Sequence, residues 1–322
     1  MSILLIEDKF YQKICNKLNE NILEITNSKR RIINEAVSDL IKGGGKKLRP
    51  FLMFLAASFG DYDQEKLLQL GSGIELLHMS SLLHDDVIDN AKLRRGKKTA
   101  QHKFGKEEAV FIGDFLLSRS FNIFFKYLDK STLGKMNKNV SLLCEGEIEQ
   151  SEKKFDLEIS MRDYYRRIRH KTALFFALSS YLGAYVSGVR GKKLNLLYKL
   201  GLEIGMAFQI KDDLLDFEGE EEETGKILAQ DLKEGIITLP VILLFNKEKY
   251  RNKYKRYNNK KLEPEVVASI IADLKVAGAL DESQDILLRF INRVKKYLEQ
   301  LPNNKAKKRL KKLVEAQIER KF

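Results

Sequence analysis

The sequence predicts an all-helical protein with little or no sheet, on three observations. Only four prolines, Pro50, Pro240, Pro264 and Pro302, interrupt 322 residues. The stretches between them are dominated by Leu, Ala, Glu, Lys, Arg and Ile, mostly strong helix formers. Their apolar members recur three and four residues apart, the spacing of one helix face, rather than alternating as in a strand. Length alone leaves one domain or two open, but nothing reads as a linker. The chain is therefore treated as one large helical domain, with N-terminal packing or dimer helices over 1–42, a core over 43–245 and C-terminal helices over 246–322.

The elements follow in order. Residues 1–42 read as one or two amphipathic helices, with Ile22, Ile25, Ile32, Ile33, Val37, Leu40 and Ile41 suited to a buried stripe. A glycine break with basic residues follows, Gly43-Gly44-Gly45-Lys46-Lys47-Leu48-Arg49-Pro50, in which Pro50 suits the first turn of a new helix. Two helices are expected from Phe51 to about Lys92, parted near Gly60–Asp63, with Arg94-Arg95-Gly96 ending the second. Further helices are expected over 107–128, 134–153, 161–187 and 192–217. Gly219 to Gly235 is polar and glycine-punctuated, as a loop or lid would be, and Thr238-Leu239-Pro240 restarts an apolar helix. Residues 246–322 read as peripheral helices.

The formal charge of +13 calls for an anionic partner without choosing among nucleic acid, a membrane surface and a phosphorylated small molecule. No nucleic-acid motif and no basic and aromatic interleaving occurs, which argues against the first. The densest basic run, Lys305 to Lys312, reads as a solvated helix face. Cys15 and Cys144 match no metal or redox spacing, so a reducing, cytoplasmic setting without a disulfide is expected. No stretch reaches the roughly 18 apolar residues of a membrane span, and the N-terminus lacks a basic leader, so no stable membrane insertion is expected.

Two acidic clusters stand inside apolar helices, LLHDDVID and FQIKDDLLD. Residues four apart share a helix face, so Asp85 points with Asp89 and Asp212 with Asp216. Unpartnered carboxylates on one face repel, and buried ones need partners or metal. Hard oxygen donors without cysteine favour magnesium over zinc, since magnesium commonly combines one or two carboxylates with phosphate oxygens and water. Gln209, Asp212, Asp213 and Asp216 fall on one broad face, a polar wall toward a cavity. A phosphorylated substrate would also need cations, for which Lys46, Arg49, Arg94, Arg95 and Lys171 are candidates.

In order and spacing, GGGKKLRP, ELLHMSSLLHDDVID, RRG, AVFIGDFLLSRS, GEIEQ, KTA, FQIKDDLLDF and GIITLP resemble the successive motifs of the trans-polyprenyl diphosphate synthases across nearly the whole chain. The resemblance implies a single large helical bundle, the isoprenoid synthase fold, around a central hydrophobic cavity, with 43–245 as catalytic core. It implies condensation of isopentenyl diphosphate with an allylic diphosphate. By resemblance, Lys46, Arg49, His78 and Arg95 hold the isopentenyl diphosphate group, and Arg94, Lys171, Thr172 and Gln209 contact the allylic one. Asp85, Asp89 and Asp212 ligate magnesium, about three ions with substrate bound, and Asp86, Asp213 and Asp216 hold metal-bound water or orient the ligands. His84 reads as a hydrogen-bonded neighbour of the cluster. Two departures stand out: Ile236 replaces the lysine of many members, removing one possible diphosphate contact, and Lys98 replaces a proline.

Bulky aromatics just before the first acidic cluster accompany short products in this family, so Ser80 and Ser81 imply the medium- to long-chain subgroup, with products of roughly thirty carbons or more. Leu77 and Ile74 are candidates to narrow the tunnel and Phe111, Phe115 or Phe121 to close it from a neighbouring helix, although ordinary core packing is the plainer reading of all five. A homodimer is expected. The alternatives are a catalytic subunit that needs a small regulatory partner, a synthase stopping at roughly fifteen to twenty carbons, and a terpene cyclase, against which the basic loop argues.

Overall fold

The computed structural model describes residues 8–218 and 228–318. In chain order the helices are α1 (Lys9–Thr26), α2 (Arg31–Lys42), α3 (Leu48–Ala57), α4 (Gln64–Ile88), α5 (Ala100–Phe104), α6 (Lys106–Tyr127), α7 (Lys130–Glu152), α8 (Met161–Ile168), α9 (Leu174–Val186), α10 (Gly191–Leu215), α11 (Gln230–Lys233), α12 (Leu239–Phe245), α13 (Glu248–Tyr254), α14 (Pro264–Val276), α15 (Ala279–Glu299) and α16 (Lys305–Ile318). The all-helical fold class is borne out. The one sheet among the described residues pairs β1 (Leu93–Arg94) with β2 (Lys97–Lys98).

Local chemistry sets the helix starts. Asp8 accepts from the backbone N–H groups of Phe10 and Tyr11 to start α1, and Asp63 accepts from Glu65 and Lys66 to start α4. Ser160 and Asp163 form a reciprocal capping box on α8. Pro50, Pro240 and Pro264 all sit in first turns, where a missing N–H leaves no helical bond unmade.

The chain divides into two compact units, one of residues 8–136 and 179–194, the other of 137–178, 195–218 and 228–318. In the first, α4 is the central helix, buried on nearly every side from Leu67 to Leu83. Its glycines admit neighbours: a Cβ at Gly71 would touch Leu18 of α1 and Phe54 of α3, and one at Gly73 would strike the Phe124 ring of α6. In the second unit α14, α15 and α16 bury apolar stripes such as Val267, Ile270 and Leu274, or Leu287, Ile291, Val294 and Leu298. Lys307 turns its ammonium back onto the carbonyls of Glu299 (3.2 Å) and Leu301 (2.8 Å), capping α15.

Two expectations need correction. The span 161–187 is not one α-helix, because Arg169–Ala173 forms a π turn between α8 and α9. Arg94-Arg95-Gly96 does not end α4, which stops at Ile88. It lies in a hairpin whose two turn residues, Arg95 (φ 52°) and Gly96 (φ 75°), are both left-handed, as a two-residue turn matching strand twist requires. Of the lid expected over 219–235, residues 219–227 lie outside the described residues, while 230–233 form α11.

Candidate active site

In the first unit the glycine break folds into a loop between α2 and α3. Gly44 (φ 73°) and Lys47 (φ 41°) take left-handed backbone, which turns the chain sharply into α3. Tyr11 of α1 donates its hydroxyl to the Lys46 carbonyl at 2.6 Å, fixing the loop from one side. Arg95 donates to the Gly44 carbonyl and Lys97 to that of Lys42 (2.8 Å), fixing it from the hairpin side. A pocket opens here, lined by Gly45, Lys47, Glu75, His78, Asp86, Arg94, Arg95 and Lys98 among others.

Its electrostatics follow from crowding of cations around buried groups. His78 is held well below the usual imidazole range by burial and then by Arg49, Arg95 and Arg94, so it is neutral at neutral pH. The carboxyl of Glu75, 5% exposed, is pushed up by burial, against which Lys47, Arg49 and Arg95 pull. Of the basic residues singled out in sequence, Arg94 and Arg95 line the pocket and Arg49 acts on it by charge. Lys47 lines it, whereas Lys46 is not among its lining residues.

The first acidic cluster divides by direction. Asp86, 2% exposed, turns inward and accepts from Arg94 Nε at 2.7 Å, and burial raises its carboxyl despite that partner. Asp85 is half-buried and Asp89 exposed at the end of α4, where the Asp89 N–H donates to the Asp85 carbonyl at 2.8 Å. Ser81, one turn earlier, returns its hydroxyl to the His78 carbonyl at 2.9 Å, while Ser80 is 1% exposed. His84 Nε2 lies 3.2 Å from Asp114 Oδ1, beside Gly113, where a side chain would displace the imidazole. Phe111 is 70% exposed on α6, which overturns the expectation that it could close a tunnel.

In the second unit α10 presses Gly205 against Ala173 of the π turn, where a Cβ would collide with the Ala173 backbone. That approach aligns a chain of hydrogen bonds: Thr172 Oγ1 donates to Gln209 Oε1 (2.7 Å), Gln209 Nε2 to Asp213 Oδ1 (2.9 Å), and Tyr164 Oη to Asp213 Oδ2 (2.7 Å). Lys171 lies 3.0 Å from Glu147. Burial pushes Asp213 up to about 6, against the hydrogen bonds of Gln209 and Tyr164 that lower it. Asp216 accepts from the backbone N–H groups of Gln230 and Asp231, both at 3.1 Å. Burial, then Asp231, raises it to about 7, and burial, then Asp213, raises Asp231 to about 7.

The two clusters are built alike. The Asp216 N–H donates to the Asp212 carbonyl at 3.1 Å, as Asp89 does to Asp85. Each thus places carboxylates at a helix C-terminus, where the helix dipole already repels negative charge. A cation answers that double penalty. Among the described residues no three His, Cys, Asp or Glu side chains converge to hold a metal by themselves. The donors at both helix ends are carboxylate oxygens, a kind that suits a hard divalent cation such as magnesium. Lys47, Glu75, Tyr164 and Asp231 escaped sequence reasoning, and only Lys47, beside Lys46 in the basic loop, carried a visible signal.

A family profile described as polyprenyl synthetase matches residues 30–274. Component 2 of the heptaprenyl diphosphate synthase of Bacillus subtilis is 36% identical over 291 residues, 90% of this chain and 83% of that protein. The octaprenyl diphosphate synthase of Escherichia coli is 36% identical over 225 residues, 70% of each chain. The crystal structure of heptaprenyl diphosphate synthase from Staphylococcus aureus superposes with a TM-score of 0.93 at 29% identity, covering 97% of this chain and 99% of that one.

Proposed function

This chain belongs to the polyprenyl synthetase family and is a prenyltransferase, and on that premise we propose that it condenses isopentenyl diphosphate with an allylic diphosphate such as farnesyl diphosphate, releasing pyrophosphate. The product we propose has roughly thirty carbons or more. The observation that carries the reading is the pocket of the first unit, where the basic loop, neutral His78 and the Arg94–Arg95 hairpin meet beside the acidic end of α4. Such a pocket suits a diphosphate that retains its leaving group, a need a terpene cyclase does not have.

In this reading Lys46, Arg49, His78 and Arg95 hold the isopentenyl diphosphate group, and Glu75 keeps their charges spaced. Arg94, Lys171, Thr172 and Gln209 contact the allylic diphosphate. Asp85, Asp89 and Asp212 ligate magnesium, with Asp86, Asp213 and Asp216 orienting the ligands. Magnesium, when bound, supplies Lewis acidity that stabilises the leaving diphosphate. The cationic side chains are in place before the allylic carbon–oxygen bond breaks, so negative charge develops into a preorganised field. The isopentenyl double bond attacks the first allylic carbon, and a proton then leaves to the departing pyrophosphate. Neutral His78 has one ring N–H to donate to the diphosphate and does not become a competing acid. Ser80 and Ser81 leave the growing chain a path past α4.

The setting we propose is cytoplasmic and the assembly a homodimer. A second reading, a catalytic subunit inactive alone, is favoured by the similarity to a protein named component 2. Incubation of the purified chain with isopentenyl diphosphate, farnesyl diphosphate and magnesium, followed by chromatography of dephosphorylated products, tests both. An EDTA-sensitive ladder ending at roughly thirty carbons or more is expected. A folded protein that makes nothing alone would establish the second reading, and a shorter end point would overturn the length assignment.

A further inference from the structure

Positive charge is unevenly spread along this chain. Residues 246–322 hold 21 Lys and Arg against 10 Asp and Glu, so eleven of the thirteen net charges fall there. Residues 1–245, which include every candidate phosphate contact, are nearly balanced, with 37 against 35. Diphosphate binding therefore does not account for the basicity of the protein.

Helix α16 sorts its residues by face. Ala306, Leu310, Leu313 and Val314 are buried, and Lys307 is turned inward to cap α15. Lys305, Lys308, Lys311 and Lys312 are exposed, and Lys305, Lys308 and Lys312 share one flank at helical spacing. Three basic residues elsewhere in this segment pair with acids, Lys247 with Glu282, Lys253 with Asp273 and Arg293 with Glu203, while others, such as Lys260, Lys261 and Lys275, are exposed and scattered over separate elements. Among the described residues the four exposed lysines of α16 pair with none.

We propose that the exposed face of α16 docks the protein on an anionic lipid bilayer. Four exposed lysines around one exposed acid, Glu315, leave this short helix face with the net positive charge that anionic headgroups attract. The choice of a bilayer rests on the function proposed above, because a polyprenyl product of that length leaves a protein for a lipid phase and not for water. A nucleic acid would satisfy the charge alone, and no aromatic side chain stands on this face to stack on bases. No helix among the described residues is long and apolar enough to cross a membrane. The attachment is thus peripheral, reversible and screened by salt.

The test is co-sedimentation of the full chain with vesicles of phosphatidylcholine alone or with added phosphatidylglycerol, at low and high salt. Binding is expected only to the anionic vesicles and only at low salt. The combined variant K308E, K311E and K312E is expected to lower that affinity on the order of a hundredfold or more, while its helical circular dichroism and its synthase activity in detergent stay at wild-type levels. A variant carrying the same charge changes at Lys260, Lys261 and Lys275 should bind nearly as well as wild type. Equal binding to neutral vesicles, no binding to either kind, or equal loss in both variants would overturn the docking face. So would binding of the wild type to duplex DNA but not to anionic vesicles. Activity without vesicle binding removes this proposal and leaves the function intact; vesicle binding without activity does the reverse.

Discussion

Replacing Asp213 by Asn should stabilise the metal-free protein above neutral pH while crippling catalysis. Asp213 is 2% exposed, and burial lifts its carboxyl from an ordinary value of 3.8 to about 6. A folded-state pKa raised in this way means that the native protein holds a proton more tightly than the unfolded chain. The contribution to stability is fully present below about pH 4, falls as pH rises toward 6, and is absent above. A shift of about two units corresponds to about 3 kcal/mol at most. Asparagine keeps the shape and cannot ionise, and the Tyr164 hydroxyl can rotate to accept from its amide. In EDTA at about pH 8 the variant should therefore gain up to about 3 kcal/mol, which for 322 residues is a rise in melting temperature of about 4 °C. At about pH 4 the gain should vanish. Thermal melts of both proteins at the two pH values decide the matter. A variant no more stable than wild type at the higher pH, or equally stabilised at both, would refute the idea that an ionised, buried Asp213 strains the metal-free fold.

Three further outcomes are expected. Ser81→Phe should shorten the product by placing a ring one turn before Asp85; an unchanged ladder by chromatography would mean that this face of α4 does not meet the growing chain. Tyr11→Phe removes the 2.6 Å hydrogen bond to Lys46, about 1 kcal/mol, and should raise KM for isopentenyl diphosphate roughly fivefold while kcat and the allylic KM stay put. Glu75→Gln should raise the same KM by about tenfold through misplacement of Lys47 and Arg95, with Glu75→Asp partly restoring it; steady-state kinetics showing tighter isopentenyl diphosphate binding would show that Glu75 acts only by repelling the anion.

Which parts of this site could be read in the sequence depended on the distance between partners along the chain. The acidic clusters were legible because helical periodicity alone aligns Asp85 with Asp89 and Asp212 with Asp216. The basic loop was legible because glycines and cations adjoin. Glu75 looked like one more helix residue, since the charges that define it, Lys47, Arg49 and Arg95, come from a loop, a helix start and a hairpin. Tyr164 lies 49 residues from Asp213, and nothing in either segment announces the pairing. The hairpin was missed because Arg-Gly is a weaker turn signal than Asn-Gly or Asp-Gly. The π turn was missed because its residues fit an uninterrupted helical pattern equally well.

That turn makes chain length a stricter constraint here than residue identity. A π turn holds one residue more than an α turn. Losing any one residue between Arg169 and Ala173 would let α8 run on into α9 as a single regular helix with a better backbone ladder. It would also rotate everything on one side of the deletion by about 100° relative to the other. Lys171 could not then keep Glu147 while Thr172 kept Gln209. Over generations this stretch should accept substitutions far more readily than a one-residue gap, since the more comfortable helix and the working arrangement cannot coexist.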